Sequence, residues 1–137
     1  MRIYVDSSIV LRIVLGEPKP LREWSRITTA NASELVRVEC LRVLDRLRTI
    51  GALEDRELAR RRSTALEILA GFELVRVNRA VLDRAAEPFP TLLRTLDAIH
   101  LASALLVHAR DPAMQMATHD VDLATAARAV GLRVVGA

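Results

Sequence analysis

Short apolar runs alternate with longer amphipathic ones along this chain, and that alternation leaves few folds open. Runs of strand length stand at Arg2–Val5, Ile27–Ala30, Leu74–Val77, Met114–Thr118 and Leu132–Val135, the second being the weakest. Apolar residues at helical spacing occupy Ser7–Leu15, Pro20–Arg26, Ser33–Ile50, Asp55–Ala70, Arg79–Ala86, Asp97–Ala109 and Asp120–Val130. Gly16, Gly51, Gly71 and Gly131 fall just past four of these helices, where a left-handed closing residue is favoured. The segments EPKP (17–20) and EPFP (87–90) read as loops. Strands separated by helices predict an α/β fold: a mostly parallel sheet of four to five strands, covered by helices on both faces through right-handed crossovers. With 137 residues, no repeat and no linker, the chain reads as one domain, residues 1–137.

Composition narrows the chemistry. Apolar residues make up 51% of the chain but aromatics only 3%, so the core is aliphatic and platforms for stacking bases are scarce. Cys40, the single cysteine, has no intrachain partner and lies in an apolar helical stretch, which suits a core filler in a reducing cytoplasm. No basic-then-apolar leader and no run of eighteen apolar residues is present, so neither export nor membrane insertion is expected. Of the 20 basic residues all but Lys19 are arginine, whose planar fork binds phosphate bidentately. The run Arg60–Arg62 reads as a solvated helix face. A G-x-S-x-G elbow and a Gly-rich phosphate loop are both missing, which argues against serine-hydrolase and nucleotide-cofactor chemistry.

Four acids stand out by position. Asp6 ends the first strand, YVDSS, where a carboxylate loses much of its water and needs a partner; Ser7 or Ser8 is expected to cap the helix that follows. Asp120 follows the strand ending at Thr118, and Asp97 opens the helix AIHLASALLVHA. In open α/β sheets the ligand crevice lies at the carboxyl ends of the strands. Either aspartate would also serve simply as a helix cap. In SELVRVECLRVLDRL the residues Leu35, Val38, Leu41, Leu44 and Leu47 predict one buried face, with Glu39 at its border. Glu34 lies about 140° around the helix from Glu39, so the two cannot share a pocket, and Glu39 is the candidate. A border glutamate near Arg42 and Arg46 also fits a solvated ion pair. His100 and His119 stand near Asp97 and Asp120, but carboxylate chemistry does not need them.

The motifs YVDSS, SELVRVECLRVL, LDAIHLASAL and THDVDLATAARAVGLRVV, in that order over nearly the whole chain, resemble the PIN domain and, within it, the ribonuclease toxins of VapBC toxin–antitoxin modules. The resemblance implies a three-layer PIN-like sandwich and an endoribonuclease that inhibits translation or growth. Its acidic site falls on Asp6, Glu39, Asp97 and Asp120 as catalytic and metal-holding residues, with Thr118 as a supporting hydroxyl. Asp122 competes with Asp120, which keeps the expected spacing from Thr118. Ser7 joins the supporting residues. A VapB-like antitoxin, with a C-terminal segment in the groove, and a homodimer are implied as well.

Carboxylates without a His/Cys cluster suit Mg²⁺ or Mn²⁺ rather than zinc. Such ions would let Asp6 stay ionised. Setting the four acids aside leaves 13 acidic residues against 20 basic ones, so an acidic centre would sit in a basic surround suited to a polyanionic substrate. Arg12, Arg42, Arg46 and Arg94 are candidates for lining the approach. Two further readings follow from the same residues: a PIN nuclease for RNA processing or structured DNA without an antitoxin, and a PIN-like binding module whose acids only cap helices.

Overall fold

The computed structural model describes residues 1–137. Five strands, β1 (Arg2–Val5), β2 (Thr29–Ser33), β3 (Glu73–Val75), β4 (Gln115–Ala117) and β5 (Val134–Val135), form one sheet in the order β3-β2-β1-β4-β5, and every pairing is parallel. Six α-helices connect or flank them: α1 (Ser7–Val14), α2 (Leu35–Thr49), α3 (Asp55–Ala70), α4 (Arg79–Ala86), α5 (Thr95–Arg110) and α6 (Val121–Ala129). The central strand β1 is buried on both faces, which is why its residues read as a continuous apolar run. Ile3 and Val5 join Ile9, Val36, Cys40, Leu44 and Leu69 under α1, α2 and α3. Tyr4 faces the other way, into a layer with Leu101, Met114, Met116, Leu123 and Ala127 from α5, α6 and β4. Helices on both faces of a sheet give the three-layer sandwich expected from the alternation.

Several local expectations need correction. Pro20–Arg26 does not form a helix; only a 3₁₀ turn at Trp24–Arg26 remains, after a loop in which Lys19 is left-handed (φ +58°) between two prolines. The second strand lies later than Ile27–Ala30, at TANAS, because Ala30 and Ala32 fill the core while Asn31 and Ser33 face α5. On α2 the buried stripe is Val36, Cys40 and Leu44, and Val38 is 56% exposed. Gly71 closes α3 at φ −84°, unlike Gly16 (φ +65°), so no glycine is required there.

Candidate active site

Asp6 follows β1 at the centre of the sheet and is 4% exposed. Ser8 Oγ donates to its Oδ1 at 2.5 Å, and Thr118 Oγ1 donates to its Oδ2 at 2.8 Å. Burial holds the Asp6 carboxyl above its ordinary pKa, and these two hydroxyls oppose the shift. Neither serine caps α1, contrary to expectation: the cap position is Asp6 itself and no side-chain cap bond forms. The hydroxyls serve carboxylates instead. Ser7 Oγ donates to Glu39 Oε2 at 3.4 Å.

Thr118, fully buried after β4, also accepts from the Asp120 N–H at 3.0 Å, so one hydroxyl ties the first acid to the last. Asp120 caps α6 through Leu123 N–H at 3.0 Å. The capping alternative thus describes part of what Asp120 does. Asp122 is exposed on the same helix. Asp97 is not a cap; Arg94 holds that position, and α5 has no side-chain cap bond. Its carboxyl is held above the ordinary value first by burial and then by repulsion from Asp120, with Asp6 and Glu39 adding to the effect and His100 opposing it. Asp97 thus feels the charges of Asp120, Asp6 and Glu39.

Glu39 lies one turn into α2 and reaches His100 Nε2 on α5 at 2.5 Å. His100 is 1% exposed, and its Nδ1 meets Tyr4 Oη at 3.1 Å; that oxygen also accepts from Ser33 N–H at 3.1 Å. Because a carboxylate only accepts, the proton on Nε2 is donated to Glu39 whether the ring is neutral or charged. Burial pulls the His100 pKa down, but the Glu39 hydrogen bond and the charges of Glu39, Asp6 and Asp97 outweigh it, and the net shift is upward. Glu34 turns elsewhere, accepting from Val77 N–H at 2.9 Å.

Sequence reasoning missed Ser8 and His100 as partners of the acids. For His100 the signal was its place one turn from Asp97. The four arginines are dispersed. Arg12 sits in the last turn of α1, beside Glu17 (3.8 Å) and the Lys19 carbonyl (3.5 Å), and contacts none of the acids. Arg42 pairs with Asp45 at 3.9 Å and, with Arg46, follows Glu39 by one and two turns on α2, where both line a separate shallow cavity. Arg94 is exposed at the start of α5.

No three His, Cys, Asp or Glu side chains form a ready-made metal cage. Mg²⁺ does not need one, since it keeps several waters and takes one or two carboxylates. An all-oxygen donor set whose members repel one another fits such an ion, because a cation would relieve the repulsion that raises Asp97. A cavity of about 700 Å³, lined in part by Arg2, Asn31, Glu73 and Arg110, lies against β3 and the last turns of α5 and contains none of the acids.

Comparison with known proteins agrees with this geometry. The PIN domain family matches residues 3–129. Ribonuclease VapC46 of Mycobacterium tuberculosis (strain ATCC 25618 / H37Rv) is 35% identical over 136 residues, covering 97% of this chain and 95% of the relative. Ribonuclease VapC47 of Mycobacterium tuberculosis (strain CDC 1551 / Oshkosh) is 32% identical, covering 94% and 92%. Among solved structures, FitAcB from Neisseria gonorrhoeae superposes with a TM-score of 0.71 at 14% identity over 97% of this chain and 96% of that one. PAE2754 from Pyrobaculum aerophilum gives 0.63 at 16% identity over 98% and 84%. A parallel sheet with Asp6 at the end of its central strand, a PIN match over residues 3–129 and likeness along nearly the whole length to two VapC ribonucleases place this chain in the PIN-domain family, within its VapC branch.

Proposed function

We propose that the protein is a Mg²⁺- or Mn²⁺-dependent endoribonuclease, the toxin of a VapBC-type pair. The observation that carries the reading is the buried Thr118 hydroxyl that binds both the Asp6 carboxylate and the Asp120 N–H beside the central strand, in a chain 35% identical to a VapC ribonuclease. Asp6, Glu39, Asp97 and Asp120 would hold the metal. When bound, the ion supplies an activated water and neutralises charge on the phosphodiester under attack. The chain's own groups prepare the site. Ser8 and Thr118 fix both oxygens of Asp6, His100 and Ser7 fix those of Glu39, and Thr118 sets the start of α6 and so the place of Asp120.

The partner is a VapB-like antitoxin in the cytoplasm, and the toxin is a homodimer. Val38, Leu96 and Val121, the sequence neighbours of Glu39, Asp97 and Asp120, are each exposed, which suits cover by a partner segment. Among the alternatives, a passive module whose acids only cap helices is supported at Asp120 alone.

RNA cleavage by the purified protein should appear with Mg²⁺ or Mn²⁺ and stop with EDTA. Asp6→Asn should abolish it while the protein still melts cooperatively, and Glu39→Gln should cost far more than Glu34→Gln. Undiminished cleavage in EDTA, with contaminating nuclease excluded, overturns the metal requirement.

A further inference from the structure

A cavity of about 710 Å³ is walled by Lys19, Arg22, Glu23 and His119, the residue before Asp120, together with the backbone at Gly136. The connection to the acids runs through His119 and Ser8. His119 lies between Thr118 and Asp120, its N–H donates to Ser8 Oγ at 2.9 Å, and the same hydroxyl donates to Asp6. The ring is held as well, with Nδ1 at 2.8 Å from the Gly136 carbonyl, so this wall is fixed.

Lys19 is the single lysine of the chain and its only non-glycine residue at positive φ, +58°. Such a backbone costs energy for an L-residue and persists where surrounding structure enforces it, often at functional sites. Pro18 and Pro20 flank it, and its carbonyl accepts from Arg12 Nη1 at 3.5 Å. The backbone is thus pinned while the ammonium is left free: Glu17, the nearest acid in sequence, is engaged by Arg12 at 3.8 Å. Arg22, three residues on, is exposed and lines the same cavity.

An acidic centre repels the polyanion it must cut, so flanking cations have to hold the phosphates on either side. The cavity offers two cations against one acid, Glu23, and no Phe, Tyr or Trp; its one ring, His119, is tied to the Gly136 carbonyl, which points to backbone rather than base recognition. We propose that the Lys19–Arg22 cavity binds the phosphodiester backbone of a single-stranded RNA next to the acids. Its place beside the scissile bond rests on the nuclease reading; the binding itself does not.

The test uses a mixed-sequence single-stranded RNA decamer in EDTA, where cleavage is off, with affinity read by fluorescence anisotropy across a salt series. Lys19→Asn removes the charge yet tolerates the left-handed backbone, and it is combined with Arg22→Gln. At roughly 0.7 per single-strand phosphate contact, losing two contacts should make the log–log salt slope shallower by about 1.4 and weaken binding roughly 25-fold at 0.1 M salt. Lys19→Arg should restore most of its share, and melting temperatures should stay near wild type. Arg56→Gln with Arg62→Gln on the exposed side of α3 is the charge-matched control and should change the slope far less. No RNA binding in EDTA, an unchanged slope in the Lys19/Arg22 variant, or an equal loss in the control overturns the proposal. Binding with the expected slopes but no cleavage in Mn²⁺ would leave this site standing and remove the nuclease reading instead.

Discussion

Thr118→Val isolates the hydroxyl that joins Asp6 to Asp120, because valine keeps the shape of a fully buried side chain and deletes only its polar atom. Losing a hydrogen bond to a charged group costs about 1.5–3 kcal/mol, and leaving the Asp120 N–H without its acceptor costs about 1 kcal/mol or more. The added methyl in an apolar layer returns about 0.8 kcal/mol. The net is a loss of about 2.5 kcal/mol. For 137 residues at roughly 2.1 cal/mol/K each, the unfolding entropy is about 0.29 kcal/mol/K, so the melting temperature should fall by about 9 °C in EDTA at neutral pH. The penalty should shrink at lower pH, because the lost bond is strongest to ionised Asp6. Thr118→Ser keeps the hydroxyl and loses one buried methyl, a cost of about 1 kcal/mol. Circular-dichroism melts with EDTA and with millimolar Mn²⁺ read both effects, and the Mn²⁺-induced rise should shrink in the valine variant and survive in the serine one. A valine variant that melts within about 2 °C of wild type and keeps its full Mn²⁺ response refutes the role given to Thr118.

Other outcomes follow from the same site. Asp6, Asp97 and His100 all have pKa values raised by folding, so each contributes stability that is present below its unfolded value and lost as pH rises through the folded one. In EDTA the melting temperature should therefore climb as pH is lowered from 8 toward 5, and Mn²⁺ should flatten that trend; a steady fall over the range contradicts it. His100→Gln places an amide donor where Nε2 stood and should retain most of the Mn²⁺ stabilisation that His100→Leu loses, whereas equal loss in both would mean the histidine only fills space. Cys40 is buried and its thiol is pushed up to about 12, so native protein should resist a thiol reagent at pH 8 and react on unfolding.

The positions of the candidate acids were legible because Asp6, Asp97 and Asp120 stand at punctuation marks of the fold, a strand end or a helix start, whereas the stripe expected around Glu39 shifted to Val36, Cys40 and Leu44. Asp6 after Ile3–Val5 and Asp97 in the first turn of α5 needed only the alternation of elements. The strand TANAS was misplaced because alanine, asparagine and serine carry no apolar periodicity; it is a strand because β1 and β3 flank it and because Tyr4 and α5 pack on Asn31 and Ser33. Apolar spacing predicts a helix over Pro20–Arg26, but spacing says nothing of the left-handed turn at Lys19 that precedes it, and only the 3₁₀ turn at Trp24–Arg26 forms. Ser8 serves an acid only two residues away, where capping of α1 was the competing use of its hydroxyl, whereas His100 acquires its role from Glu39, 61 positions away, a distance no local pattern encodes.

The sheet order puts β1, the first strand made, at the centre with β4 beside it, and Asp6 receives its second hydroxyl from a residue 112 positions later. During synthesis the emerging chain therefore carries Asp6 and Glu39 long before Thr118 and Asp120 exist to complete the cluster. Closing so long a loop is a slow, late event in folding. Until β4 slots against β1, the nascent polypeptide has half a set of acids facing an open sheet edge. The centre would thus be silent through nearly all of translation and switch on only when the last helices dock, which gives a cell an interval in which the fold, before any partner arrives, keeps the activity in check.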